Sequence, residues 1–237
     1  MSSGVSQFIS HLAANGYNSR SNKHSDALSD AIARDLFTVC PLMRERCERS
    51  ELVYQLNFKL VAGSADWNVD LAIGTPPPAQ GDKNSLPIRR NPARVQIAIE
   101  LKSIMTEHNK QKKNRKRDME AHHSHVHDYY AGSIAGGVFV INSSPIFKSS
   151  LRNDISTHKD PNKLVSGCIE ELSAVSRRTR PSESGLDAAC AIVLSMSNVD
   201  GDAVQHVKKS PAPSVGHPLH YDSFIQQICD LYAQKFR

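Results

Sequence analysis

Val95-Gln96-Ile97-Ala98-Ile99-Glu100-Leu101-Lys102 is the stretch from which the fold of this chain is read. A nearly continuous apolar run that ends in an acid and an amine describes a strand covered on both faces whose last residues turn polar. Side chains two apart on a strand share a face, so Glu100 and Lys102 point together while Leu101 packs behind them. Upstream, Trp67-Asn68-Val69-Asp70-Leu71-Ala72-Ile73-Gly74 reads as a second strand with an acid held among apolar neighbours. Two carboxylates and an amine that converge can hold a hard divalent cation through oxygen ligands and keep an ammonium beside it. Such a group suits phosphodiester hydrolysis. Asp66 is a competing first acid, and Asp70 is preferred because its embedded position holds its geometry firmly.

Working outward, residues 24–39 carry Leu28, Ile32, Leu36 and Val39 at helical spacing, with Ser25 as N-cap and Pro41 just beyond the end. Residues 51–61 read as a strand, and Gly63-Ser64 turns the chain into the strand that holds Asp70. Thr75 to Arg94 is a proline-rich polar loop with Arg89, Arg90 and Arg94 near its end, the kind of segment that reaches toward a ligand. The pattern then predicts a long helix over residues 107–130, a buried strand over 136–141, a helix over 162–177, a strand over 189–196 and a final helix over 221–235. Residues 182–184 and 197–218 read as connections, and Met1 to Lys23 as a loose end. A helix joining the third and fourth strands requires a crossover, so the fold class is α/β with a mixed central sheet flanked by helices and C-terminal additions.

A chain of 237 residues fits a single domain, residues 1–237, with a core over about 24–142 and a C-terminal extension over 143–237. The net charge of +5 is modest, and its placement matters more than its sum. No apolar run approaches the roughly 18 residues that cross a bilayer, and Met1 to Ser10 lacks a secretory layout. The expectation is a soluble, cytoplasmic protein with no membrane partner. Five cysteines, an odd number without a CxxC pair, are expected to be mostly reduced and buried.

Asp70, Glu100-x-Lys102 and the αβββαβ order around them, over roughly Asp26 to Ile141, resemble the PD-(D/E)XK nuclease superfamily, the restriction-endonuclease-like fold. Val69 stands where the nominal pattern has proline. The resemblance implies Mg2+, one or two ions per site, held by Asp70 and Glu100, with Lys102 orienting or activating the attacking water. Relatives sometimes add an acid from the first helix, which would be Asp30, with Asp26 as substitute; acids in a first helical turn also simply stabilise the helix dipole. The implied function is a type II restriction endonuclease that cuts double-stranded DNA to 5′-phosphate ends and works as a homodimer on a palindromic site. Alternatives are a repair, recombination or phage-defence nuclease on the same core, or a DNA-binding protein whose core is inactive.

Lys110, Lys112, Lys113, Arg115, Lys116 and Arg117 follow the acidic pair within about two helical turns, a density of charge that phosphates would offset. Arg89 and Arg90, or the segment Arg177 to Arg180, are candidates for base readout. Among His122, His123, His125 and His127, only the pairs 123/127 and 122/125 share a helix face, too few ligands for zinc. One or two of them are expected to pack beneath the sheet and the others to touch phosphate or water.

Overall fold

The Ile97-Ala98-Ile99 run lies at the centre of a seven-stranded sheet in the computed structural model, which describes residues 3–62, 65–78, 87–151, 154–180 and 182–237. The chain forms α1 (Ser3–Asn15), α2 (Lys23–Val39), α3 (Pro41–Glu48), β1 (Val53–Ala62), β2 (Ala65–Thr75), β3 (Ile88–Arg89), β4 (Arg94–Ile104) and α4 (His108–Tyr129). It continues through β5 (Ile134–Asn142), β6 (Ile146–Lys148), β7 (Ile155–Thr157), α5 (Pro161–Ser173), β8 (Ala188–Ser195), β9 (Gln205–His206) and α6 (Tyr221–Lys235). The sheet order is β3-β1-β2-β4-β5-β8-β9. β1, β2 and β4 form an antiparallel meander, whereas α4 carries the chain over so that β5 runs parallel to β4 and β8 parallel to β5. The fold is therefore α/β with a mixed sheet between helices, as the order of elements in the sequence requires.

The period of two along β4 sorts the core into two layers. Ile97, Ile99 and Leu101 face α2 and α6, where Leu28, Ile32, Leu36, Phe224 and Ile228 pack against them. Ala98 faces the opposite layer with Met119 and Val126 of α4 and Val165 and Leu172 of α5. Small residues let α4 approach on that side: a Cβ on Gly137 would stand 2.8 Å from the Met119 sulfur. Burying each aliphatic side chain of this core contributes about 1.5–3 kcal/mol.

Several boundaries differ from the sequence reading. Residues 3–15 form a helix that docks Val5, Phe8 and Leu12 into the core, and the Asp35 carboxylate on α2 accepts from Gly4 N–H and the Tyr221 hydroxyl, which ties α1 to α2 and α6. Pro41 does not merely end α2; it opens α3 at the first helical position, where its missing N–H costs nothing. Val39 is 50% exposed, and it is Cys40 that turns inward, bonded to Cys229 of α6. Cys47, Cys168 and Cys190 remain free and buried, so most cysteines are reduced as expected. α5 stops at Ser173, because the chain then turns to bring Arg177 beside Leu186. The β6–β7 hairpin and β9 occupy stretches without a strand pattern, and the Gly63-Ser64 turn and residues 79–86 of the loop before β4 lie outside the described residues. Among the described residues no helix is long and apolar enough to cross a membrane.

Candidate active site

The site forms where two strands part. β2 pairs with β4 from Thr75 opposite Arg94 to Leu71 opposite Ile99, and then continues alone with β1 as far as Ala65 opposite Ala62. At that fork the Leu101 N–H needs an acceptor, and the Asp70 carboxylate supplies it at 2.7 Å. Asp70 is thereby fixed beside Glu100, which precedes Leu101. Lys102, on the same face as Glu100, forms an ion pair with the Glu100 Oε1 oxygen. Asp70, Glu100 and Lys102 are thus brought together, as the sequence reading expects.

Burial sets the electrostatics of this group. Glu100 is 4% exposed, and burial together with the nearby Asp70 charge pushes its carboxyl up to about 7 against the pull of Lys102. Burial likewise raises the Asp70 carboxyl, opposed by the Leu101 N–H and the Lys102 charge and reinforced by Asp26. For Lys102 burial works against the charge, but the Glu100 and Asp70 carboxylates outweigh it and the amine is held charged. Beneath the pair lies His122 of α4, wholly buried and pushed down to about 3 by desolvation, hence neutral. Its Nε2–H donates to the Ala98 carbonyl at 3.3 Å, which leaves the bare Nδ1 3.9 Å from Glu100 Oε2, beyond hydrogen-bond reach. Among the described residues neither His122 Nδ1 nor Glu100 Oε2 has a hydrogen-bond partner.

An unpaired, buried carboxylate oxygen is costly unless something satisfies it. The donor set here, two carboxylates with an adjacent ammonium, fits a hard cation such as Mg2+, which needs only one or two protein carboxylates and fills its other positions with water and phosphate oxygens. Among the described residues no group of three or more His, Cys, Asp and Glu side chains is arranged to hold a metal. Asp30 does not join the pair: its two oxygens accept from the Tyr54 hydroxyl at 2.6 Å and from Arg34 Nε at 2.7 Å. Asp26, the substitute, is the α2 acid whose charge acts on Asp70, and it is held by Asn57 Nδ2 at 2.6 Å. Asp66 is ion-paired with Lys59 on the far part of the β1–β2 hairpin.

Asp70 and Lys102 open into a cleft of about 460 Å³. One wall is the α1–α2 connection with Tyr17, Ser19 and Ser21; the other is the β6–β7 hairpin with Phe147, Ser149 and Asp154. The sequence reading missed both walls. The first had a signal, because Gly16 to Asn22 is a run of turn formers between two apolar helical stripes; the hairpin strands are too short to have one.

Of the six basic residues early in α4, Arg115 lines the cleft and is paired with Asp118 at 3.0 Å. Lys110, Lys113 and Arg117 form an exposed stripe on the side of α4 turned from the sheet, while Lys112 lies along α5 beside Gly167 and Lys116 stands 3.9 Å from Glu120. Arg89 is exposed at the β3 edge and Arg90 donates its N–H to the Tyr54 carbonyl; neither lines the cleft. Arg178 donates to the Ala131 carbonyl just before β5, at the end of that strand away from Lys102. Of the histidines, His122 and His123 are buried as expected, but the other two do not wait for phosphate: His125 stacks on Trp67 at 4.7 Å and His127 donates to Asp187 at 3.1 Å.

The chain matches no family model, no curated protein and no solved structure. The chemistry of the fork between β2 and β4 is therefore the ground on which its function is read.

Proposed function

We propose that this protein is a divalent-cation-dependent nuclease of the PD-(D/E)XK type acting on double-stranded DNA. The observation that carries the reading is the meeting of Asp70, Glu100 and Lys102 at one strand fork, with Glu100 Oε2 buried and without a hydrogen-bond partner among the described residues. A Mg2+ ion held by Asp70 and Glu100 would neutralise charge on the scissile phosphate and lower the pKa of the attacking water. Asp70 is held for that task by the Leu101 N–H, and Glu100 would release to solvent, on binding the ion, the proton that its burial retains. Lys102, kept charged by Glu100, is placed to orient the water and to donate to a phosphate oxygen. The exposed Lys110, Lys113 and Arg117 stripe supplies sequence-independent phosphate contacts. Within this reading the finer proposal is a homodimeric type II restriction enzyme that leaves 5′-phosphate and 3′-hydroxyl ends.

The test is cleavage of a mapped plasmid with Mg2+. Asp70→Ala should lower the cutting rate by at least about 10³-fold while labelled duplex still binds. Equal cutting by both proteins removes the site assignment. Fragments of fixed length favour restriction, cutting confined to flaps, junctions or ends favours a repair or defence nuclease, and binding without cutting favours an inactive DNA-binding core.

A further inference from the structure

The two walls of the cleft come from segments far apart in sequence, and a single side chain joins them. Asn198 Oδ1 accepts from the Tyr17 N–H at 2.7 Å, and its Nδ2 donates both to the Tyr17 carbonyl at 3.1 Å and to the Lys148 carbonyl at 2.9 Å. One carboxamide therefore grips the α1–α2 connection on both sides of Tyr17 and the β6 end of the hairpin at once, with both amide hydrogens in use. Its backbone is shaped for this: Asn198 sits at φ +58°, a conformation asparagine tolerates better than most residues, and the neighbouring Ser197 carbonyl accepts from Lys148 N–H at 2.7 Å.

Tyr17 carries the grip inward. Its ring stacks on His24 at 5.1 Å and meets Phe147 edge-on at 6.1 Å, so both walls touch it. The side chain of Ser103, the residue after Lys102, acts on its hydroxyl. Tyr17 and Phe147 line the cleft, whereas Asn198 does not.

We propose that Asn198 is a positioning residue that fixes the two cleft walls against each other and thereby sets the affinity of the Asp70, Glu100 and Lys102 centre for its substrate. This rests on the nuclease reading for the identity of the substrate. A wall free to shift loses pre-organisation, and the substrate must supply the ordering itself.

Asn198→Gly is the informative variant, because glycine accepts φ +58° and removes the carboxamide without straining the backbone. In Mg2+-dependent cleavage it should raise KM about tenfold and leave kcat within about twofold, while the Tyr17 amide exchanges its hydrogen faster. Asn198→Asp keeps the acceptor for Tyr17 N–H but sets an oxygen against two carbonyls, and it should raise KM at least as much. An unchanged KM in Asn198→Gly overturns the proposal; with faster Tyr17 exchange, that result makes the clamp a matter of folding alone. A fall in kcat with KM unchanged overturns it too. If wild-type protein binds labelled duplex but cuts nothing, the nuclease reading fails by itself and the clamp is judged on Kd: about tenfold weaker binding by Asn198→Gly supports it, equal binding overturns it.

Discussion

Glu100 on β4 and Asp187, the residue just before β8, are equally buried, each 4% exposed, and both lie under α4, yet they are opposite constructions. Asp187 Oδ2 accepts from Ala135 N–H at 2.8 Å and from His127 Nε2–H at 3.1 Å, and its Oδ1 pairs with Lys235 Nζ at 3.2 Å. Burial would raise its pKa, but the His127 and Ala135 hydrogen bonds and the Lys235 charge prevail and lower it. Glu100 has a lysine on one oxygen and, among the described residues, no hydrogen-bond partner on the other, and burial prevails. α4 offers a histidine to each acid, but only His127 closes the distance. Burial is common to both acids; an open lone pair beside it is what distinguishes Glu100 and what the nuclease proposal builds on.

The contrast can be broken first at Asp187. After the loss of cutting expected for Asp70→Ala, the largest effect should come from Asp187→Asn, which strands Lys235 and His127 and should destabilise the fold by about 3–5 kcal/mol in urea unfolding. Glu100→Gln should do the reverse. Folded Glu100 keeps its proton up to about pH 7, whereas an unfolded glutamate releases it near 4.5, so between those values the folded state binds more protons and stability falls as pH rises. Removing the charge should therefore stabilise the metal-free protein by about 1–3 kcal/mol at pH 8 and leave it almost unchanged at pH 4, while cutting is lost. Asp187 has the other sign, with stability present above its unfolded pKa of 3.8 and lost as pH falls below it. The same retained proton predicts that Mg2+ binding weakens below pH 7 by up to about tenfold per unit, with proton release measurable by calorimetry in buffers of different ionisation enthalpy. The smallest effect sharpens the comparison from outside: Lys113→Ala and Arg117→Ala should each reduce the salt slope of duplex binding by about 1 without altering sequence preference.

Much of this architecture was legible because its cues are local. The Ile97-Ala98-Ile99 run marks a central strand, the Leu28, Ile32 and Leu36 spacing marks α2, and the alternation of Glu100-x-Lys102 puts two charged groups on one face. Asp70 was legible for the same reason, since an acid set among Val69, Leu71 and Ala72 costs stability unless a partner or a cation satisfies it. What escaped depends on distance in sequence. Asp30 is an acid on α2, and Tyr54 of β1, far off in sequence, takes up one of its oxygens while Arg34 takes the other. The Asp187 cluster joins residues from α4, β5 and α6, and Asn198 reaches back to Tyr17 across most of the chain. α1 is a different case: Val5, Phe8 and Leu12 were spaced to be found, but a terminal segment reads as loose until its docking partner is known.

The bond between Cys40 and Cys229 joins residues 189 positions apart. Closing so large a ring in the unfolded chain is worth about 5 kcal/mol by loop entropy, and strands β1 to β9 all lie between the two cysteines. A protease that nicks the backbone once anywhere from Pro41 to Ile228 therefore frees no fragment: the two pieces migrate as one band until a reductant is added.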